Sequence, residues 1–191
     1  MRVQYYTATS LDGYIADEDD NLDWLTRYAP PDPPPDLKRD TSSYDEFYAG
    51  IGAMIMGSTT YEWVLAHVDS WPYPDKPTWV LSSRDLPSPE GDADVRIVAA
   101  EVADLREDLT AAAGERNLWV VGGGPVVSQF AAAGLLDDVI VTVVPVALGA
   151  GKQLFAERLP GGPMRLVEAR PSPTGMVELR YEVVRGAHRP V

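Results

Sequence analysis

The sequence predicts an α/β fold: a mixed sheet, mostly parallel, with helices on both faces and an antiparallel hairpin at the C-terminus. Three observations predict it. Short apolar runs alternate with helical stretches, the order that parallel crossovers require. Twice a Gly-rich turn joins such a run to the helix after it, at Gly57-Ser58-Thr59-Thr60 and at Gly122-Gly123-Gly124-Pro125. Near the end, two β-prone runs flank Pro171-Ser172-Pro173-Thr174-Gly175, as the arms of a hairpin would. The length of 191 residues suits one domain, and residues 1–191 are read as one.

Arg2 to Thr9, rich in Val, Tyr and Thr, reads as the opening strand, stopped by Ser10-Leu11-Asp12-Gly13. The stretch after this turn reads as irregular. Tyr28 to Ser43 is so rich in proline, which lacks the amide donor, that it reads as a surface loop or as a lid over a site. Ser43 caps a short helix from Tyr44 to Gly50, and Ala53 to Met56 is a buried strand bounded by glycines. Gly57 to Thr60 opens a helix, Tyr61 to His67, which Trp71-Pro72-Tyr73-Pro74 breaks. Thr78 to Leu81 and Val95 to Val98 are strands. From Glu101 to Ala113 an amphipathic helix places Val102, Leu105, Leu109 and Ala112 on one stripe, with Gly114 as its stop. Asn117 to Val121 is a strand, and Pro125 to Ala133 a helix with Pro at its first position and Gly134 after its end. Val139 to Val146 is the next strand. Met164 to Arg170 and Val177 to Val184 form the closing hairpin.

Sixteen Lys and Arg against 29 Asp and Glu give a net charge of −13. Such a balance repels phosphate backbones and anionic lipid, so neither nucleic acid nor a membrane surface is an expected partner. With 45% hydrophobic residues the chain has apolar mass for a real core. No cysteine is present, which removes disulfides, thiolate metal sites and Cys nucleophiles together. No apolar signal core precedes Asp12, and the Val139 to Leu148 run is too short to cross a bilayer, so the protein reads as soluble and cytoplasmic. Two histidines, His67 and His188, with no Gly-x-Ser-x-Gly elbow and no His-Glu-x-x-His pair, disfavour a hydrolase and leave no expected metal site. Gly149-Ala150-Gly151-Lys152 lacks the remaining P-loop residues, since Val146 and Gln153 stand where Gly and Ser or Thr belong.

Three donor clusters remain, each after a strand: Gly57 to Thr60, Ser82-Ser83-Arg84, and Gly122 to Pro125. Glycines admit a phosphate to the backbone, and a helix start offers free N–H groups. Each turn has a purely structural use as well. In a parallel sheet all three would line one rim, where α/β sheets bind ligands.

These turns and several other segments, in order, resemble the dihydrofolate reductase superfamily, and within it the branch shared with the riboflavin-biosynthesis reductase, the RibD C-terminal domain. The segments are Ser10-Leu11-Asp12-Gly13-Tyr14-Ile15-Ala16, Asn21-Leu22-Asp23-Trp24-Leu25, Met56-Gly57-Ser58-Thr59-Thr60-Tyr61-Glu62, Leu81-Ser82-Ser83, Val121-Gly122-Gly123-Gly124, and Pro145 to Gly151 with Leu154-Phe155. The resemblance implies a dihydrofolate reductase-like mixed sheet and an NADPH-dependent reductase, often a homodimer. It implies a pyrophosphate between Gly57, Ser58, Thr59, Thr60 and Gly122, Gly123, Gly124, Pro125, Val126, with Ala8, Ile15, Leu81 and Val121 as further cofactor contacts. Ser82, Ser83 and Arg84 would take the adenosine phosphate. Many relatives carry Arg or Lys where Ser58 stands, so Arg84 is expected to substitute.

For the proton source the resemblance points to an acid in an early helix, and Asp45, beside Glu46, is the candidate, with a solvated helix face as the alternative. Asp12, Trp24 and Lys152 are candidate substrate contacts, against plainer readings as an Asp-Gly turn, core packing and a solvated lysine. Arg27, Lys38 and Arg39 are further basic groups for a phosphorylated substrate. The reaction expected first is reduction of a heterocycle, most like 5-amino-6-(5-phosphoribosylamino)uracil. Dihydrofolate reduction is the second, and a non-catalytic nucleotide-binding regulatory protein the third.

Overall fold

The computed structural model describes residues 1–28, 42–160 and 162–184. Most of the Pro-rich stretch, with Lys38 and Arg39, lies outside the described residues, and with it the lid expectation. In chain order the elements are β1 (Val3–Ser10), β2 (Tyr14–Ala16), α1 (Asp23–Tyr28), α2 (Ser42–Ala49), β3 (Ile51–Gly57), α3 (Ser58–His67), β4 (Thr78–Leu81) and β5 (Val95–Val98). Next come α4 (Arg106–Ala113), β6 (Asn117–Gly122), α5 (Gly124–Ala132), β7 (Asp138–Val144), β8 (Lys152–Gln153), β9 (Arg165–Pro171) and β10 (Val177–Glu182).

Alternation along the apolar strands divides the helices between two faces. Ala53 and Ile55 of β3, Leu118 and Val120 of β6, and Tyr5 of β1 bury against Leu105, Leu109, Val127 and Phe130, so α4 and α5 cover that face. Their neighbours Met54, Met56 and Trp119 point the other way, onto Tyr61, Val64 and Trp71, with Phe47 and Tyr48 of α2 beside them. Each fully buried large side chain contributes about 1.5–3 kcal/mol.

The eight strands run in the order β5-β4-β3-β6-β1-β7-β10-β9. The pairs from β5 through to β7 are parallel, and β10 joins antiparallel to β7 and β9. This is the predicted mixed sheet. Gly52 marks where a helix comes closest to it: a Cβ there would stand 2.2 Å from the carbonyl oxygen of Ala113, at the end of α4.

Three local expectations change. The stretch after Gly13 is not wholly irregular: β2 pairs with β8 in a separate two-stranded ribbon, and α1 comes next, with Asn21 Oδ1 accepting the N–H of Asp23 at 2.9 Å. The helix expected from Glu101 begins only at Arg106, because the segment before it is a turn whose Val102 N–H is bound by Gln129 Oε1 of α5 at 3.3 Å. The strand expected from Val139 to Val146 ends at Val144.

Candidate active site

Parallel register brings the three donor clusters to one rim. Gly57 pairs with Leu81, and Met56 with Gly122, so β3, β4 and β6 end side by side. Helices α3 and α5 start there, on Gly57 and Gly123, and neither has a side-chain cap on its first amides. The turns touch: a Cβ on Gly123, whose φ is 93°, would lie 3.4 Å from Val126 Cγ2 and 3.8 Å from the Gly57 nitrogen. A Cβ on Gly122 would lie 3.1 Å from Thr60 Oγ1. Gly57, Ser58, Thr59 and Thr60 are thus brought against Gly122, Gly123, Gly124 and Pro125, with Val121 in the strand before and Val126 buried beneath. Two uncapped helix starts and small residues between them fit a pyrophosphate.

Past Leu81, the Arg84 N–H donates to Ser82 Oγ at 2.9 Å, which folds Ser82-Ser83-Arg84 into a tight turn. The Arg84 guanidinium is already engaged: Nη1 and Nη2 donate to the two oxygens of Glu62 on α3 at 3.1 and 2.6 Å. These bonds raise the Arg84 pKa. Glu62 was no candidate from sequence, although it closes the Met56-Gly57-Ser58-Thr59-Thr60-Tyr61-Glu62 motif.

The substrate-side candidates lie at a corner beside β1. Asp12 accepts from Ser10 Oγ at 2.6 Å and from the N–H groups of Leu148 and Gly149 at 3.1 and 2.7 Å. The Ser10 hydroxyl, then the Gly149 amide, hold its carboxyl down at about 2. Asp12 therefore fastens the loop after β7 to the turn after β1. Ile15 lies half-buried in β2, and Lys152, in β8, pairs with Asp20 at 3.6 Å. Trp24 is buried with Val144 and Met176, its Nε1–H without an acceptor among the described residues.

A cavity of about 680 Å³ opens between α1, α2 and the β1-β7-β10-β9 part of the sheet. Its floor is one row of cross-strand neighbours. Ala8 pairs with Thr142, Thr142 with Glu178, and Glu178 with Arg170, and all four line the cavity. Ala8 is the expected cofactor contact that reaches it. Glu178 Oε2 accepts from Tyr6 Oη at 2.9 Å and from Ser43 Oγ at 3.3 Å. Burial and then the Glu178 charge push the Tyr6 hydroxyl well above its ordinary pKa, so it stays a donor. Asp45, in the first turn of α2, is exposed and does not line the cavity, nor do Asp12, Trp24 and Lys152. Among the described residues Glu178 is the carboxylate that does, and sequence reading missed it.

The chain is similar to known proteins in sequence and in fold. Residues 67–177 match the family model of the RibD C-terminal domain. The chain is 32% identical over 158 residues to YwjB of Bacillus subtilis (strain 168), spanning 80% of this chain and 81% of that one. It is 38% identical over 85 residues to the dihydrofolate reductase HdrB of Haloferax volcanii, 44% of this chain and 43% of the other. The crystal structure of a putative riboflavin biosynthesis protein from Shewanella sp. PV-4 superposes with a TM-score of 0.80 at 30% identity, covering 97% of this chain and 100% of its own. A Thermotoga maritima diaminohydroxyphosphoribosylaminopyrimidine deaminase/5-amino-6-(5-phosphoribosylamino)uracil reductase shares the fold, with a TM-score of 0.62 at 15% identity, over 96% of this chain and 56% of that one. A family model matched across more than half the sequence, and a relative matched across most of both chains, make this chain a member of the RibD C-terminal domain family.

Proposed function

We propose that the protein is an NADPH-dependent reductase of a nitrogen heterocycle, most like the 5-amino-6-(5-phosphoribosylamino)uracil reductase of riboflavin synthesis. One observation carries the reading: the uncapped starts of α3 and α5 stand against each other at the sheet rim, next to the Ser82-Ser83-Arg84 turn. The N–H groups of Ser58, Thr59 and Thr60 and the turn at Gly123 are suited to hold a pyrophosphate, and the Arg84 guanidinium a 2′-phosphate. The bound nicotinamide supplies the hydride.

The chain's own part is to position and enclose. Ala8, with no side chain beyond Cβ, lets a flat ring lie against β1 at the inner end of the cavity. Tyr44, Trp119 and Met176 wall that cavity with apolar surface and exclude water from the ring face. Arg170 is the cation among the described lining residues; its Nε donates to Glu168 Oε1 at 2.6 Å, and a phosphate on the substrate would compete with that exposed carboxylate for it. A second reading, reduction of dihydrofolate, is favoured by the 38% identity to HdrB and needs no phosphate clamp. A homodimer that covers the β9 edge, where Leu166 and Val167 are exposed, belongs to the same proposal. Light scattering is expected to give twice the 20.8 kDa chain mass, and the single-chain value would reject it.

Thermal unfolding in the presence of NADPH and, separately, NADH tests the core of the proposal. A ligand at a thousand times its dissociation constant stabilises by about 4 kcal/mol, a rise in Tm easily read. A dose-dependent rise, larger for NADPH, is expected. A folded sample that responds to neither cofactor would leave the two turns as structural features and sink the reductase reading.

A further inference from the structure

Helix α2 forms one wall of the cavity, yet it has no buried side to hold it there. Among its described side chains Ser43, Phe47 and Tyr48 are half-buried, and Tyr44, Asp45, Glu46 and Ala49 are exposed. Eight residues are too few to keep a helix in place by backbone bonds alone, so its position depends on what its side chains touch. Phe47 supplies one anchor, its ring 4.6 Å from that of Tyr6 and 5.3 Å from that of Trp119. Tyr48 supplies a second, and it meets a pair of charges.

The Tyr48 hydroxyl donates to Asp75 Oδ1 at 2.6 Å. Lys76 Nζ lies 2.8 Å from Oδ2 of the same carboxylate and 4.7 Å from the centre of the Tyr48 ring. The anion therefore takes the ring by its hydroxyl, and the cation covers its face. Burial, then the bond to Asp75, pushes the Tyr48 hydroxyl well above its ordinary pKa, so it remains a donor. Only 4% of the Lys76 side chain is exposed, and removing an ammonium from water costs free energy that its partners must offset. A partly buried pair of this kind is a weak source of net stability; what it fixes is a position. The lysine itself stands on the sheet: its N–H donates to the Tyr73 carbonyl at 3.2 Å, and its own carbonyl accepts from Oγ1 of Thr78, the fully buried first residue of β4, at 3.0 Å.

Tyr48 passes that position on to the cavity. Its ring stacks on Tyr44, one helical turn earlier, with centres 6.0 Å apart and planes 16° apart. Tyr44 lines the cavity, with the Trp119 ring edge-on to it at 6.2 Å.

We propose that Lys76 and Asp75 are positioning residues for the ligand cavity: through Tyr48 they hold α2 against the sheet, so that Tyr44 stands as the cavity wall. Neither residue lines the cavity itself. Calling the occupant a substrate rests on the reductase reading; the hold on α2 does not.

The test is amide hydrogen exchange of the whole protein, read by mass spectrometry, comparing α2 with β3 and β6. Lys76→Met keeps an unbranched apolar stem and removes the charge, Tyr48→Phe keeps the ring and removes its bond, and Asp75→Asn changes only an exposed carboxylate. Each is expected to speed exchange of the α2 amides by about tenfold and to leave β3 and β6 within about twofold of wild type. The second readout is steady-state reduction of dihydrofolate, or of 5-amino-6-(5-phosphoribosylamino)uracil, with NADPH. In the same variants KM for the heterocycle is expected to rise about fivefold, with kcat and the KM for NADPH within about twofold, because a loosened wall weakens binding of that ligand alone.

Unchanged α2 exchange in Asp75→Asn and Tyr48→Phe would overturn the proposal, even if Lys76→Met fails to fold. So would an equal acceleration at α2, β3 and β6, the mark of a merely structural role. Faster α2 exchange with an unaltered KM for the heterocycle would overturn it as well, since α2 would then be loosened without consequence for the cavity. A wild type that reduces neither compound would sink the reductase reading, and exchange at α2 alone would then decide whether Lys76 and Asp75 hold the wall.

Discussion

Arg84 has two anions to choose from. Its guanidinium is bonded at both Nη atoms to Glu62, yet it is also the cation of the Ser82-Ser83-Arg84 cluster, where an adenosine phosphate would sit. Both partners are largely exposed, so water and salt screen the pair and a phosphate can compete for it. Glu62→Gln abolishes the charge while retaining the shape. This variant is expected to bind NADPH several-fold more tightly with NADH affinity unchanged, in a titration by cofactor fluorescence. Arg84→Ala should make the two cofactors equal. If Glu62→Gln leaves NADPH affinity unaltered, Arg84 is not the phosphate ligand. Sequence alone shows Arg84, because it comes after two serines at a strand end, but not its partner 22 residues earlier, which only the β3-β4 pairing brings near. Glu178 was hidden for the same reason. It reads as one polar residue in an alternating hairpin strand, and the hydroxyls that define it lie 172 and 135 residues away.

Elements were legible where local chemistry and burial agree. β3, β4 and β6 are short apolar runs with clear bounds, and their register set the rim that the glycine turns then occupied. α5 was legible from Pro125 at its start and Gly134 after its end. Where an element depends on a distant partner, the sequence had no signal to offer. β2 has three residues and β8 two, and the ribbon they make lies beside the loop that Asp12 fastens at Leu148 and Gly149, contacts 136 and 137 residues apart in sequence. α1 has six residues, too few for a visible stripe, and is anchored by Trp24 in a small core of its own. On α4 the stripe was right at Val102, Leu105 and Leu109, which are all buried, but Ala112 is only half-buried, with Ala113 buried in its place, and half of the stripe is carried by a turn. A stripe reports which residues face the core, and a turn held by Gln129 faces it as well as a helix would.

The whole molecule is an antiparallel extension joined to a parallel sheet, and a buried carboxylate helps to tie the two together. Asp138, on β7, accepts from Arg2 Nε and Nη2 at 2.8 Å each, from Gln4 Nε2 at 2.9 Å and from Arg180 of β10 at 3.4 Å. It thereby joins β10 to the segment that begins β1, at the end of the sheet away from the rim. Burial on its own would raise the Asp138 pKa, but the bonds from Arg2 and Gln4 outweigh it and hold the group below its ordinary value. A carboxyl whose folded pKa is depressed stabilises the fold fully above its unfolded value of about 3.9 and loses that contribution as pH falls through the folded value. Asp138→Ala is expected to cost about 1–3 kcal/mol near pH 7, toward the lower end because Arg2 remains half exposed and keeps its water. Chemical denaturation at a series of pH values measures it. The gap between wild type and variant should be constant from pH 7 to about 5 and narrow below about 4, as the wild type protonates the group the variant lacks. Loss of cofactor binding is not expected, since the rim proposed to hold the pyrophosphate lies at the opposite ends of the strands. A gap as wide at pH 3 as at pH 7 would mean that Asp138 acts through packing alone, and that its charge does not help to hold the antiparallel extension to the parallel sheet.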